Sequence, residues 1–562
     1  MYILGISCFY HDSAACLIRN GEIISAAQEE RFTRIKHDWR FPINAINYCL
    51  KEANMSIENI EAVSFYEKPI LKFERMLETF ISVSPRGYKA FIDTIPSWIK
   101  NKLWLPTILK KQLGYNGKVL FSKHHLSHAA GSFFLSPFDE SAVLTIDGVG
   151  EWASAAYGQG KSNKITLTHE MRFPNSLGLL YSAFTSYLGF EINDAEYKVM
   201  GMAPYGRPNY YEVIKNNLID IREDGSIRLN LDFFSFQHGK KMFNKKFEAL
   251  FGISKRIPES SLMQEHFDIA ASIQKLTEDI ILKMAFHVYK QTGSKKLCLA
   301  GGVSLNCVAN GRLLREGPFE EIFIQPAAGD AGGSIGAAYA AYHHYYNKTE
   351  KHPLKSIYLG PSFGSKDIIE FLDKYKVSFI RLNEEEIISK TASLLSEGKI
   401  IGWFQGKMEF GPRALGNRSI LADPTRNEIK DIINKMVKFR ESFRPFAPTV
   451  TEEDAPKYFD LNAQSPYMLL TAQVKSKNIP AVTHVDGSAR VQTVSEESNP
   501  LFYKLLKRFE QIKGMPVLLN TSLNLRGEPI TMTPEDAYRC FERSGMDCLI
   551  IGNFIISKVK IK

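Results

Sequence analysis

Two histidines four residues apart, His124 and His128 in Lys123-His-His-Leu-Ser-His128, have the type and spacing to hold a metal ion. On a helix, positions i and i+4 share one face about one turn apart, so both imidazoles point the same way. Two aspartates extend this to a mixed nitrogen and oxygen set. Asp147 ends the apolar run Ala142-Val-Leu-Thr-Ile-Asp147, and Asp330 lies in the small-residue run Ala327-Ala-Gly-Asp-Ala-Gly-Gly333. Such donors suit a divalent ion such as iron, manganese or zinc. The spacing alone more readily fits a pair of core or capping histidines. It does not fit a zinc-protease helix, which needs glutamate directly after the first histidine; His125 stands there.

The elements that must position these residues show as a repeated pattern. Tyr2-Ile-Leu-Gly-Ile-Ser7 leads into Asp12-Ser-Ala-Ala-Cys-Leu-Ile18 and then Gly21-Glu-Ile-Ile-Ser-Ala-Ala27. Later, Ala142–Asp147 leads into Ala153-Ser-Ala-Ala-Tyr-Gly158 and Lys164-Ile-Thr-Leu-Thr168. Each copy reads as a three-stranded meander. Duplicated meanders whose first turns face one cleft describe the actin/hexokinase/Hsp70-like fold. A buried-strand run, Lys296-Leu-Cys-Leu-Ala300, then meets Gly301-Gly-Val-Ser-Leu-Asn306, where glycines let backbone N–H groups approach an adenosine or phosphate. His266 to Thr292 reads as a long amphipathic helix closed by Gly293. Residues 208–258 are polar and carry no legible pattern.

At 562 residues the chain exceeds one core, so two or more domains are expected. The pattern breaks at Thr349–Ser356, which divides the chain into domains at 1–350 and 357–562. The second reads as α/β, with strands such as Lys399-Ile-Ile-Gly-Trp-Phe404 and Met515-Pro-Val-Leu-Leu519 between helical runs. It carries a cluster of cations: Arg413 and Arg418, then Lys438, Arg440 and Arg444 among prolines and phenylalanines. Guanidinium groups grip phosphate oxygens in bidentate fashion, and aromatic walls strengthen that attraction. His484–Arg490 and Asn520–Pro529 combine hydrogen-bonding side chains, a glycine and an arginine, and complete such a pocket.

Composition, 44% hydrophobic and 23% charged, is that of an ordinary globular protein. A net charge of +9 over this length is too mild to imply nucleic acid and fits anions held in particular pockets. Seven scattered cysteines without a C-x-x-C read as small buried hydrophobes in a reducing cytoplasm. No apolar run reaches bilayer length, and the first residues enter a strand pattern at once, so neither membrane nor export is expected.

Several long motifs resemble the NodU/CmcH family of O-carbamoyltransferases. They are His11-Asp-Ser-Ala-Ala15, Glu29-Glu-Arg-Phe-Thr-Arg-Ile-Lys-His37, His124-His-Leu-Ser-His128, Lys198-Val-Met-Gly-Met-Ala-Pro-Tyr-Gly206, Gly301–Asn306, Glu409-Phe-Gly-Pro-Arg-Ala-Leu-Gly416 and Arg444-Pro-Phe-Ala-Pro448. Members modify antibiotics, nodulation factors and other natural products. The resemblance implies an N-terminal domain like the tRNA threonylcarbamoyl transferase and a C-terminal YrdC-like domain. It implies that the latter uses carbamoyl phosphate and ATP with Mg(2+) to make carbamoyl-adenylate. The former would transfer the carbamoyl group to a hydroxyl of a sugar, aminoglycoside, macrolide or similar small molecule, with Fe(2+) or another divalent metal. Carried over by residue, His124, His128, Asp147 and Asp330 would bind metal, and Gly148, Gly301, Gly302 and Asn306 the adenylate. Arg413, Arg418, Lys438, Arg440, Arg444, Arg490, Asn520, Thr521 and Arg526 would bind carbamoyl phosphate and ATP. Glu196-Tyr-Lys198 departs from the Glu-Gly-Lys expected there. A monomer or homodimer without nucleic acid is implied.

The acceptor hydroxyl must lose a proton, and His11 or Asp12 in the first turn is the candidate base. Lys36 is a candidate to neutralise the adenylate phosphate. The rival readings are a tRNA threonylcarbamoyl-type transferase, a non-catalytic nucleotide sensor and a kinase on the same fold.

Overall fold

The computed structural model describes residues 1–100, 102–239 and 241–558; the last four positions of the expected second domain, 559–562, lie outside the described residues. The chain forms two compact units, Met1–Glu29 with His37–Leu354, and Glu30–Lys36 with Lys355–Lys562.

In the N-terminal unit, β1 (Tyr2–Ser7), β2 (Ala14–Arg19) and β3 (Glu22–Gln28) form an antiparallel meander, and β4 (Ala62–Phe65) and β5 (Lys118–Phe121) add in parallel beside β1. The order is β3-β2-β1-β4-β5. β6 (Glu140–Ile146), β7 (Ala153–Lys161) and β8 (Lys164–Arg172) repeat the meander. A hairpin of β9 (Ile219–Ile221) and β10 (Ile227–Leu229) follows, and β11 (Lys296–Ala300) and β12 (Glu321–Ile324) then join β6 in parallel. The second order, β12-β11-β6-β7-β8, mirrors the first. The duplication thus extends to five strands per half, the actin/hexokinase-like arrangement. β1, β4, β6 and β11 are buried along almost their whole length, which is why they read as continuous apolar runs. In such sheets ligands bind beyond the carboxyl ends of the strands.

Two helices cross this unit, His124–Phe133 and Asp330–Ala340. The second is buried on every side, as its all-round small and apolar sequence requires. A Cβ at Gly336 would stand 1.7 Å from the Ser127 carbonyl oxygen, so the two backbones meet with no room for a side chain. The long helix runs from Gln264 to Thr292 and ends at Gly293, left-handed at φ 64°. Residues 208–258, silent as sequence, hold the hairpin and an aromatic cluster in which Phe247 and Phe251 meet Phe184 and Tyr187.

The C-terminal unit is one mixed nine-stranded sheet, with order β13-β21-β20-β14-β15-β19-β16-β18-β17. Its strands are β13 (Ile380–Arg381), β14 (Ile401–Phe404), β15 (Arg418–Ala422), β16 (Ala447–Thr451), β17 (Leu470–Gln473), β18 (Ser488–Val494), β19 (Val517–Ser522), β20 (Cys548–Ile551) and β21 (Phe554–Ser557). One expectation is corrected. Residues 30–36, placed by sequence in the first domain, belong to this unit. Arg31 donates to the Gly411 carbonyl at 2.8 Å, and Arg34 donates to the Pro529 and Ile530 carbonyls at 2.7 Å each. Charge-assisted bonds of this kind outweigh sequence adjacency. Among the described residues no helix is long and apolar enough to cross a membrane.

Gly336→Ala should force the two crossing helices apart and cost about 1–3 kcal/mol of stability, as overpacking does elsewhere. Urea unfolding of the variant beside the wild type measures it.

Candidate metal and anion sites

The helix His124–Phe133 starts against a carboxylate: the His124 backbone N–H donates to Glu151 Oε1 and Oε2 at 3.0 and 3.1 Å. An acid there answers an orphan N–H and favours the helix dipole. One turn on, His128 Nε2 lies 3.1 Å from His124 Nε2. Asp147, just past β6, puts Oδ2 2.8 Å from His124 Nε2 and 3.4 Å from His128 Nε2. Asp330 Oδ1, at the start of its helix, stands 3.7 Å from each. One donor atom from each of the four lies within 4.8 Å of all the others. His124, His128 and Asp330 are 1–3% exposed.

These side chains fit a divalent cation. Asp147 Oδ1 is occupied by the Gly302 N–H at 3.1 Å, which turns Oδ2 toward the imidazoles. His124 Nδ1 is buried without a hydrogen bond, 3.8 Å from Glu67 Oε2. The Tyr66 hydroxyl donates to Asp330 Oδ2 at 3.4 Å. Neither Glu67 nor Glu151 carries a sequence signal, because both reach the site only through folding.

His125 is a core residue. Its nitrogens face Thr145 Oγ1 at 2.8 Å and the Ala153 carbonyl at 2.9 Å, and burial among other imidazoles lowers its pKa to about 3. For His128 burial works downward too, but Asp147 and Asp330 outweigh it and raise the pKa to about 9. Burial would raise Asp147, yet the two facing imidazoles hold it well below the usual carboxylate range.

His11 and Asp12 occupy the first turn, as their sequence position requires. His11 Nε2 is 3.8 Å from Asp330 Oδ2, and its Nδ1 is 3.0 Å from Asp12 Oδ2. The chain continues through His37, which meets Asp12 Oδ1 at 2.7 Å and Asp194 Oδ1 at 2.9 Å. His37 and Asp194 were not singled out by the sequence, although His37 closes a quoted motif. Burial would lower His11, but Asp330, Asp12 and Asp147 together raise it to about 9. Lys36 falls in the segment of the C-terminal unit.

Gly301 is left-handed at φ 93°, and a Cβ there would meet the Ile146 carbonyl oxygen at 2.2 Å, so only glycine fits. Gly148, by contrast, has open space where a Cβ would sit. Asn306 caps the following helix by accepting from the Ala309 N–H and exchanges amide hydrogen bonds with Gln274.

In the C-terminal unit the register gathers the cations. Ser419 pairs Ser522, Ala447 pairs Asn520, and Thr449 pairs Gln492. The start of β15, the start of β16, the end of β19 and the Arg490 level of β18 therefore share one end of the sheet. Lys438 is buried there and donates to Asn524 Oδ1 at 2.7 Å and to the Ser522 carbonyl at 2.5 Å. Burial, with Arg440 and Arg444 beside it, pushes its pKa well down. Arg440 donates to Asn434 Oδ1 at 2.7 Å over the Phe446 ring. Glu441 lies 3.6 Å from Arg444 and 4.0 Å from Arg526. Arg413 is half-buried just before β15, and Thr521 is half-buried on β19.

Two expected ligands have structural duties. Arg418, fully buried, makes hydrogen bonds to the carbonyls of Gln405, Asn417, Pro361 and Gly406 and stacks 3.7 Å over Phe404. Asn520 donates to Thr449 Oγ1 and Gln492 Oε1 within the sheet. The sequence also missed Glu409, whose Oε1 accepts the N–H groups of Leu415, Asn417 and Arg418 and shapes the arginine loop.

The carbamoyltransferase N-terminus profile matches residues 2–339, and the carbamoyltransferase C-terminus profile matches residues 392–558. An uncharacterised protein of Synechocystis sp. is 50% identical over 99% of this chain and 97% of its own length. Nodulation protein NolNO of Sinorhizobium fredii is 38% identical over 98% of this chain and 79% of its own. Among solved structures, component A of the Acidaminococcus fermentans (R)-2-hydroxyglutaryl-CoA dehydratase is 16% identical, covering 62% of this chain and 99% of its own, with a TM-score of 0.34. With family profiles spanning both units, this chain belongs to the carbamoyltransferase family and is an enzyme of that class.

His128, with a folded pKa of about 9 against 6.5 when free, adds stability to the metal-free protein that is full below pH 6.5 and lost as pH rises through about 9. The advantage of wild type over His128→Gln in urea midpoint should therefore shrink across that window. A divalent cation competes with the same proton, so its apparent affinity should climb over the same range. Calorimetric titration that finds no such climb would remove His128 from the ligand set.

Proposed function

We propose that this enzyme is an ATP-dependent O-carbamoyltransferase acting on a hydroxyl of a small molecule. The carrying observation is the convergence of His124, His128, Asp147 and Asp330 within 4.8 Å at the buried strand ends of the N-terminal unit. In the C-terminal unit, carbamoyl phosphate loses phosphate to water, and the carbamate attacks the α-phosphorus of ATP with Mg(2+). Carbamoyl-adenylate forms and pyrophosphate leaves. The cations at one end of that sheet support this reading: Arg413, Lys438, Arg440, Arg444, Arg490 and Arg526 supply charge and fork donors for phosphate oxygens. Lys438, flanked by arginines, has its charge disfavoured until an anion arrives.

In the N-terminal unit, the acceptor oxygen attacks the carbamoyl carbon, the carbamate ester forms, and AMP leaves. The chemistry that Fe(2+) or another divalent ion supplies when bound by His124, His128, Asp147 and Asp330 is Lewis-acid polarisation of a carbonyl oxygen. Gly148, Gly301 and Gly302 offer a close backbone surface to the adenylate. His11 takes the acceptor's proton, and Asp12, His37 and Asp194 hold its ring and spread the charge. Its raised pKa means that His11 becomes a base only when the charge on Asp330 and Asp147 is offset.

The division of labour is testable. Arg413→Ala should lower pyrophosphate release by roughly a hundredfold, in line with losing a donor to developing charge. His128→Ala should spare pyrophosphate release and block carbamate-ester formation. Equal loss of pyrophosphate in two folded variants would overturn the two-site assignment; phosphate and product assays read it directly.

A further inference from the structure

We propose that Arg75 binds an anionic group of the acceptor, a carboxylate, sulfate or phosphate, beside the metal-type cluster. The word acceptor rests on the carbamoyl-transfer reading above; the oxyanion subsite itself does not.

Arg75 lies on the helix Pro69–Ser82, which leaves the carboxyl end of β4. It is 8% exposed, yet neither its Nε nor its Nη1 has a hydrogen-bond partner. Its guanidinium stands 5.0 Å from the centre of the Phe173 ring. The nearby carboxylates are committed elsewhere. Glu67 Oε2 accepts from Lys72 Nζ at 2.6 Å, and Glu151 accepts the N–H groups of His124 and Lys68. Burial lowers the Arg75 pKa from its ordinary value, and Tyr10, Glu67 and Glu151 oppose that shift through space.

A buried guanidinium with unanswered donors is costly, and native structures retain such a group where something else answers it. Arginine's donors match oxyanions, and an aromatic face on one side leaves its edge for a ligand. Tyr10 ties this position to the reaction centre. It interacts electrostatically with Arg75 and with both cluster aspartates, and its ring lies 4.6 Å from that of His11. Arg75 thus serves the side of the candidate base, where the reacting hydroxyl must sit. The adenylate-type glycines meet the cluster at Asp147 instead, where the Gly302 N–H donates to Oδ1. That separation favours the acceptor over the adenylate phosphate as the source of the anion.

Two measurements test the proposal on the full-length protein. In crystals soaked with selenate, anomalous density should lie within hydrogen-bond distance of the Arg75 guanidinium in wild type and be absent in Arg75→Met. No wild-type density there, or density that persists in the variant, overturns the subsite. In carbamoylation assays with methyl glucuronoside and methyl glucoside, and with a metabolite extract, products retained on an anion exchanger should dominate. For those acceptors Arg75→Met should raise KM by about ten- to a hundredfold, with pyrophosphate release unchanged. Arg75→Lys should recover part of the loss and carries the test if the methionine variant does not fold. Products lacking an anionic group, or an unchanged KM, would reduce the selenate to an adventitious ion only and overturn the acceptor assignment. A rise in KM for AMP release without acceptor would assign the anion to the adenylate instead. Selenate bound at Arg75 with no carbamoylated product from any source would sink the transferase reading and leave the oxyanion subsite standing.

Discussion

The contact on which the N-terminal unit depends is a backbone meeting a backbone. The helix carrying His124 and His128 touches the helix that begins at Asp330, with the Ser127 carbonyl lodged where a Gly336 side chain would be. Only glycine permits this distance, and close packing of the interior leaves no slack to absorb a side chain. The approach sets Asp330 against the two imidazoles, and the end of β6 brings Asp147 to the same point. Donors from three separate stretches of chain are thereby brought together.

Burial then makes their charges interdependent. Away from water, two carboxylates that face imidazoles draw protons onto them, so His128 and His11 both titrate well above free histidine. A divalent cation held by the same four side chains would do for the carboxylates what those protons do. Proton and cation would then compete for one set of atoms. The state of His11 would follow from that competition, because Asp330 and Asp147 raise its pKa although it stands outside the four-membered set.

The C-terminal unit solves a different problem by strand order. Cations far apart in sequence share one end of the sheet because β15, β19, β16 and β18 are consecutive neighbours. Its arginines divide by what their donors meet. Arg31, Arg34 and Arg418 bind backbone carbonyls and brace loops. Such bracing consumes the same fork that makes arginine a phosphate ligand, so residue type alone cannot separate the two roles.

Local sequence determined a good deal. Periodicity marked both meanders, and the i, i+4 histidine pair committed two imidazoles to one helical face, because backbone geometry fixes these relations within a few residues. The glycines after β11 announced a close backbone approach, since a side chain does not tolerate one. Long motifs carried the family. What folding alone decided was every relation across distance. It assigned residues 30–36 to the C-terminal unit, recruited Glu67, Glu151, His37 and Asp194, turned Arg418 and Asn520 inward as braces, and left Arg75 buried with donors unanswered. Those outcomes depend on which chain segments become neighbours. Burial and partner geometry arise from that choice, and no spacing along the polypeptide encodes them.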